Sequence, residues 1–163
     1  MILSGEFTVP APREAVFAAL RDANFFASCF EGVSALTETG ENRYDAMFET
    51  KVAYLKFKFK VTVELVRIEP PVEIKARIEG TPLGIVGRLT TTSITRLAEA
   101  GNDTQLSYTL DTSLTGKLGS IGQTVLKSKA REMEKQFAER LSAAFANNAA
   151  PAPPRAAELG ATS

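Results

Sequence analysis

Residues 116–146 read GKLGSIGQTVLKSKAREMEKQFAERLSAAFA, and the needs of this stretch decide the fold. In its second half Leu126, Ala130, Met133, Phe137, Leu141 and Ala144 recur at steps of three and four. That spacing predicts a helix with these residues stacked on one face. Arg131, Glu132, Lys135 and Glu139 fall elsewhere and can meet water. Burying Leu126, Met133, Phe137 and Leu141 would contribute roughly 1.5–3 kcal/mol each. The sum is comparable with the net stability of a whole domain, about 5–15 kcal/mol. The helix therefore has to dock, and the rest of the chain has to supply the surface. The first half differs in character: Leu118, Ile121, Val125 and Leu126 form a broader apolar arc, interrupted by Gly119 and Gly122.

The surface is predicted upstream. Residues 2–9 alternate as a half-buried strand that Pro10-Ala-Pro12 stops. Pro12 opens a short helix over Arg13–Leu20, and Asp22 or Asn24 caps a second one, DANFFASCF, ending near Gly32. From Val33 the period becomes two. Val33–Glu38 and Asn42–Thr50 form a hairpin about Thr39-Gly40-Glu41, and Leu55–Ile68 is the clearest strand of all. Pro70-Pro71 separates it from a strand at Val72–Glu79, and Ile85–Leu97 and Gln105–Leu114 complete the set. Seven strands with short connections form an antiparallel sheet, apolar on one face only. The long helix alone is large enough to cover that face. The expected fold is α+β: a curved sheet wrapped around a long C-terminal helix, with two short helices after the first strand. Residues 1–147 form the domain, and the Pro/Ala-rich stretch 148–163 is expected to be a disordered tail.

Composition excludes several functions. Lys+Arg and Asp+Glu balance at 19 each, so no global field draws the chain to nucleic acid. With no histidine and one cysteine, the chain lacks the commonest general base, the commonest metal ligand and any internal disulfide. The lone cysteine fits a reducing compartment. No secretory signal follows Met1, and no apolar run approaches the ~18–20 residues of a membrane span.

The ordered stretches GEFTVPAPREAVFAAL, SCFEGVSAL, KVAYLKFKFKVTVELVRIEPP, GTPLGIVGRLTTTSITRL and TQLSYTLDTSLTGKLGSIGQTVLKSKAREMEKQF carry a resemblance over essentially residues 1–146. The chain resembles the family of the carbon monoxide dehydrogenase G-subunit, within the SRPBCC (START/Bet v 1-like) superfamily. Phe30-Glu31-Gly32 replaces the Ile-Pro-Gly turn common in relatives, and no apolar segment precedes Ser163, so a permanent membrane anchor is not expected. The resemblance implies a helix-grip fold with an apolar cavity near the start of the long helix. It also implies a quinone or lipid as ligand and a molybdenum hydroxylase of the carbon monoxide dehydrogenase type as partner. The expected setting is the cytoplasm, with transient peripheral contact at the inner membrane.

The candidate ligand-binding residues are Phe26, Cys29, Phe30, Phe48, Phe57, Phe59, Val61, Ile74, Leu89, Leu110, Leu118, Ile121 and Val125. Each could instead be plain core. Phe25, Phe26 and Phe30 either plug the open end of the sheet or form a mobile lid. Lys51, Lys56, Lys58 and Lys60 either solvate a strand face and discourage edge pairing, or dock on an anionic membrane or acidic partner. Cys29 lacks an activating base and reads as a buried apolar residue. The carboxylate pairs Asp45/Glu49 and Asp111/Glu64 fall on outward positions and do not form an acid–base site. No catalytic residue, cofactor or metal is expected. The leading reading is a non-catalytic carrier. The alternatives are an interaction protein for recruitment or maturation of the partner enzyme, and a cyclase- or dehydratase-like enzyme using inward Tyr108, Thr91 or Ser93.

Overall fold

The computed structural model describes residues 1–149. Strand β1 (Ile2–Val9) leads into helices α1 (Arg13–Arg21) and α2 (Ala23–Ser28). Six strands follow: β2 (Val33–Gly40), β3 (Arg43–Val52), β4 (Leu55–Glu69), β5 (Glu73–Pro82), β6 (Gly87–Ala100) and β7 (Asp103–Gly116). A 3-10 turn at Lys117–Ser120 precedes α3 (Gln123–Ala149). The sheet is antiparallel throughout, in the order β1-β7-β6-β5-β4-β3-β2, so β1 and β2 are its edges. The α+β architecture expected from the periodicities, and the helix-grip fold that the resemblance implies, are the ones observed.

Of the two caps offered for α2 the structure uses Asp22, its carboxylate accepting from Phe25 N–H at 3.1 Å, so Asn24 lies inside the helix. Other local boundaries differ from expectation. The β2–β3 turn centres on Glu41-Asn42, with Asn42 at φ 58. The long helix starts at Gln123 rather than near Gly116, because Gly116 at φ 64 breaks the chain's direction. A Cβ there would meet Val86 O at 2.5 Å, so only glycine lets the chain turn off β7 beside the β5–β6 loop. At the other end α3 runs to Ala149, so residues 148 and 149 of the expected tail are helical in backbone. The remainder of that tail lies outside the described residues.

Alternation explains the two faces, and one irregularity repairs it. Phe57, Phe59, Val61, Val63 and Leu65 share one face of β4. A register shift between Leu65 and Arg67 pushes Val66 outward, and Ile68 returns to the inner face opposite Ile74. Edge strand β2 carries two such shifts, at Ser34/Thr37 and Glu38/Gly40.

The inner face holds two separate cores. One joins Val16 and Phe17 of α1 to Val9, Ile74, Leu97, Leu106 and Leu141, with Phe137 and Phe145 of α3 packed against it. The other, at the opposite end of the sheet, centres on Phe57, Phe59 and Leu118, with Phe48, Leu89 and Ile121 around them. Leu141 is fully buried, and Leu141→Ala should cost about 2–5 kcal/mol in urea unfolding. Val125→Ala, at a 37% exposed helix position, should cost no more than about 0.5 kcal/mol.

Candidate functional site

Between the two cores the helix and the sheet face each other without closing. Leu126, Ala130 and Met133 form the middle of the inward row on α3, and all three are only half-buried. Opposite them, Leu3, Val63, Ile78 and Leu110 sit on the inner face of the sheet and are likewise half-buried. Val63, Ile78 and Leu110 belong to strands flanked on both sides, so edge exposure does not explain their access to water. The cause is side-chain volume. The ends of the inner face carry Phe57, Phe59, Phe7 and Leu106, whereas the centre carries Ala46, Ala76, Gly80, Thr91, Ser93 and Thr112 between its larger residues. These short side chains, and Ala130 on the helix, leave the larger ones among them partly open to water.

A cleft of about 240 Å³ lies at the β3–α3 edge, lined by Phe48, Glu49, Thr50 and Lys51 on one side and Lys129, Glu132, Met133 and Gln136 on the other. Met133 belongs both to this cleft and to the inward row. The cleft therefore adjoins the unfilled middle, with a rim of mixed charge.

The polar groups on the inner face are few and mostly paired. Thr91 and Thr112 are buried side by side in the centre, with hydroxyls 3.1 Å apart. Tyr108 donates its hydroxyl to Glu134 of α3, and Arg131 approaches the same carboxylate at 3.4 Å and the carbonyl of Ser4 at 3.2 Å. Burial, first, and the Glu134 carboxylate, second, push the Tyr108 phenol well above its ordinary range, so it stays a donor. Gly5 makes this possible, because a Cβ there would collide with the Glu134 carboxylate and the Tyr108 ring.

Helix α2 is fastened to α3 from outside. Phe30 stacks on Phe137 at 5.2 Å, Phe26 meets both rings edge-on, and Phe7 completes the cluster from β1. Gln136 accepts from Glu31 N–H at 2.8 Å, and Arg140 donates to Ser28 O at 2.9 Å. Gln136, Phe137 and Arg140 of α3 thus hold one side of the α2–β2 connection, and Glu49 N–H, donating to Gly32 O at 3.0 Å, holds the other.

With the geometry in hand, comparison with known proteins gives the family. The model of CoxG, the G-subunit of carbon monoxide dehydrogenase, matches residues 5–146. The chain belongs to that family. Among solved structures, a conserved protein from Geobacillus kaustophilus is 25% identical with a TM-score of 0.82, over 90% of this chain and 95% of that one. A START superfamily protein from Mycobacterium smegmatis is 13% identical with a TM-score of 0.64, over 88% and 95%. The Zhui aromatase/cyclase from Streptomyces sp. R1128 is 22% identical with a TM-score of 0.52, over 90% and 89%. The last two show a shared fold. Among curated proteins none matches significantly.

In this CoxG family member the sequence-predicted residues divide into groups. Phe48, Phe57, Phe59, Val61, Leu89, Leu118 and Ile121 come together around the core at the helix start. Leu110 lies on the open middle of β7. Ile74 is elsewhere, in the opposite core with Leu97 and Leu141. Phe26 and Phe30 pack on Phe137, about 21 Å along the axis from the first residue of α3. They do not meet Leu118 or Ile121, because α2 packs on the middle of the helix. Val125 lies in the first turn of α3, which begins at Gln123, and is 37% exposed.

Two further placements follow from the strand order. The lysines of β4 do not guard an edge, since β4 lies between β3 and β5. Asp111 and Glu64 do not pair, because β5 and β6 separate their strands by a spacing of about 14 Å. Sequence reasoning missed Glu134 and Gly5, whose meeting depends on the register Gly5 opposite Tyr108. It also missed Glu73, an outward glutamate buried to 4% by Arg67, 2.8 Å away, and Arg96.

Cys29 is buried, and burial pushes its thiol up despite the nearby Arg140 charge. The folded chain thus holds this proton more tightly than the unfolded chain. Its contribution to stability is complete below the unfolded value of about 8.5 and is lost as pH rises through the higher folded value. Native protein at pH 8 should alkylate with iodoacetamide at least about tenfold more slowly than unfolded protein. Equal rates would show an accessible thiol. Tyr108→Phe should cost about 1–2 kcal/mol in unfolding, since it strips Glu134 of a donor.

Proposed function

We propose that this protein is a non-catalytic carrier that holds an apolar small molecule, a quinone or membrane lipid, between α3 and the centre of the sheet. It serves a molybdenum hydroxylase of the carbon monoxide dehydrogenase type. The observation that carries the reading is the pair of apolar rows, Leu126–Ala130–Met133 and Val63–Ile78–Leu110, which the protein's own side chains bury only in part. An apolar ligand there would remove both rows from water, at roughly 0.8 kcal/mol for each of its own methylenes. Membership of the CoxG family supports the assignment to such an enzyme. The fold shared with a START superfamily protein supports ligand binding.

The chemistry of the inner face agrees with carriage. Its central polar groups are hydroxyls, and Thr91 and Thr112 already satisfy each other. They can orient a carbonyl or hydroxyl on the ligand, with Ser93 beside them on the same face. Tyr108 is committed to Glu134. The chain would work in the cytoplasm, at the face of the inner membrane; among the described residues no helix is long and apolar enough to cross a membrane.

Organic extraction and mass spectrometry of natively purified protein should yield one quinone or lipid per chain. Adding that molecule to the emptied protein should raise stability by about 2.7 kcal/mol at a hundred times Kd. Leu110→Trp or Ile78→Trp, which fill the middle, should abolish both effects while the chain stays folded. An empty native protein, with no quinone or lipid shifting its melting, would sink the carrier reading.

A further inference from the structure

Helix α3 packs on the inner face of the sheet, and the outer face carries a groove of its own. The groove holds about 360 Å³ and is lined by Val66, Arg67, Lys75, Arg77 and Thr92, from β4, β5 and β6. The register shift between Leu65 and Arg67 shapes it: the extra residue, Val66, stands out of β4 and is 45% exposed. All three strands are flanked on both sides, so the groove sits on paired backbone and not on a loop.

Its charge is one-sided. The lining holds three cations and no carboxylate, in a chain that is neutral overall. Arg67 lies directly opposite Lys75 across β4–β5, an arrangement that like charges disfavour. The buried Glu73 holds Arg67 at 2.8 Å and is shared with Arg96, so one negative charge already answers two positive ones. Lys75 and Arg77 form no ion pair among the described residues, although Glu64 lies opposite Arg77 across the strands.

We infer that an acidic segment of a partner protein docks in this groove, its carboxylates meeting Arg67, Lys75 and Arg77 and its apolar atoms covering Val66. Glu73 engages one nitrogen of the Arg67 guanidinium and so sets its plane. A guanidinium fixed in this way, with N–H donors to spare, matches the paired oxygens of a carboxylate. A small anion could answer the charge but would leave Val66 in water. The partner is the molybdenum hydroxylase proposed above, so the inference rests on that assignment. The groove and α3 lie on opposite faces of the sheet. A docked partner therefore leaves the apolar rows free to exchange their molecule.

Biolayer interferometry of the full chain against the purified enzyme from the same organism tests it. The wild type should bind, and high salt should weaken the binding. Lys75→Gln with Arg77→Gln should weaken it about tenfold or more, and Val66→Asp, which sets a carboxylate in the groove at an exposed position, should do the same. Circular dichroism should show both variants folded. Lys56→Gln with Lys58→Gln, the same charge change elsewhere on β4, should bind as the wild type does. Full binding by the groove variants would overturn the inference and leave the enzyme assignment in place. Groove variants that keep the enzyme but lose pyrophosphate or anionic vesicles would overturn it in favour of a small anion or a lipid surface. No binding by the wild type would overturn the inference and the enzyme assignment together, while the carrier reading would still stand or fall on the extracted molecule.

Discussion

One helix of 27 residues has to close seven strands, and where it can come close determines the rest. It approaches β1 at Gly5, where the missing side chain leaves room for the Tyr108–Glu134 contact. From that line the sheet curves away. Large side chains bridge the distance at both ends and form a core at each. In the middle, where Ala76, Gly80, Thr91, Ser93 and Thr112 are short, the apolar residues among them stay only half-buried.

Much of this was legible before any coordinates. The strict alternation of Leu55–Leu65 and the three-four spacing of Leu126–Ala144 each have one physical solution, and together they require a sheet gripping a helix. What could not be read was phase and distance. Val125 falls in the first turn of a helix that starts seven residues after Gly116, and there it is 37% exposed. Phe26 and Phe30 looked like part of the mouth because apolarity carries no address, and only the packing of α2 on Phe137 supplies one. Glu134 and Glu73 carry no sequence signal of their own: Tyr108 reaches the one, and Arg67 and Arg96 the other, from elements that only register brings near.

Leaving the middle unfilled has an energetic side. Apolar surface in contact with water forgoes roughly 25 cal/mol for every Å². The chain tolerates this because the two end cores are built from well-buried side chains, including Val9, Val16, Leu106, Leu118 and Leu141. A residue at either end that loses volume would weaken the grip. A residue in the middle that gains volume would strengthen the grip and remove the space.

The edges of the sheet have a consequence for how the protein meets copies of itself. On one side β2 is broken by two register shifts and by Ala35 at φ 55, so its free backbone groups do not line up as a regular ladder. On the other side Arg131 of α3 reaches across to the Ser4 carbonyl of β1. Neither margin offers an uninterrupted row of donors and acceptors to a second sheet. A seven-stranded open sheet is otherwise a template for continuous β-fibre growth. Here one margin is irregular and the other is guarded by the same helix that the fold is built to hold, so docking of α3 also restrains aggregation.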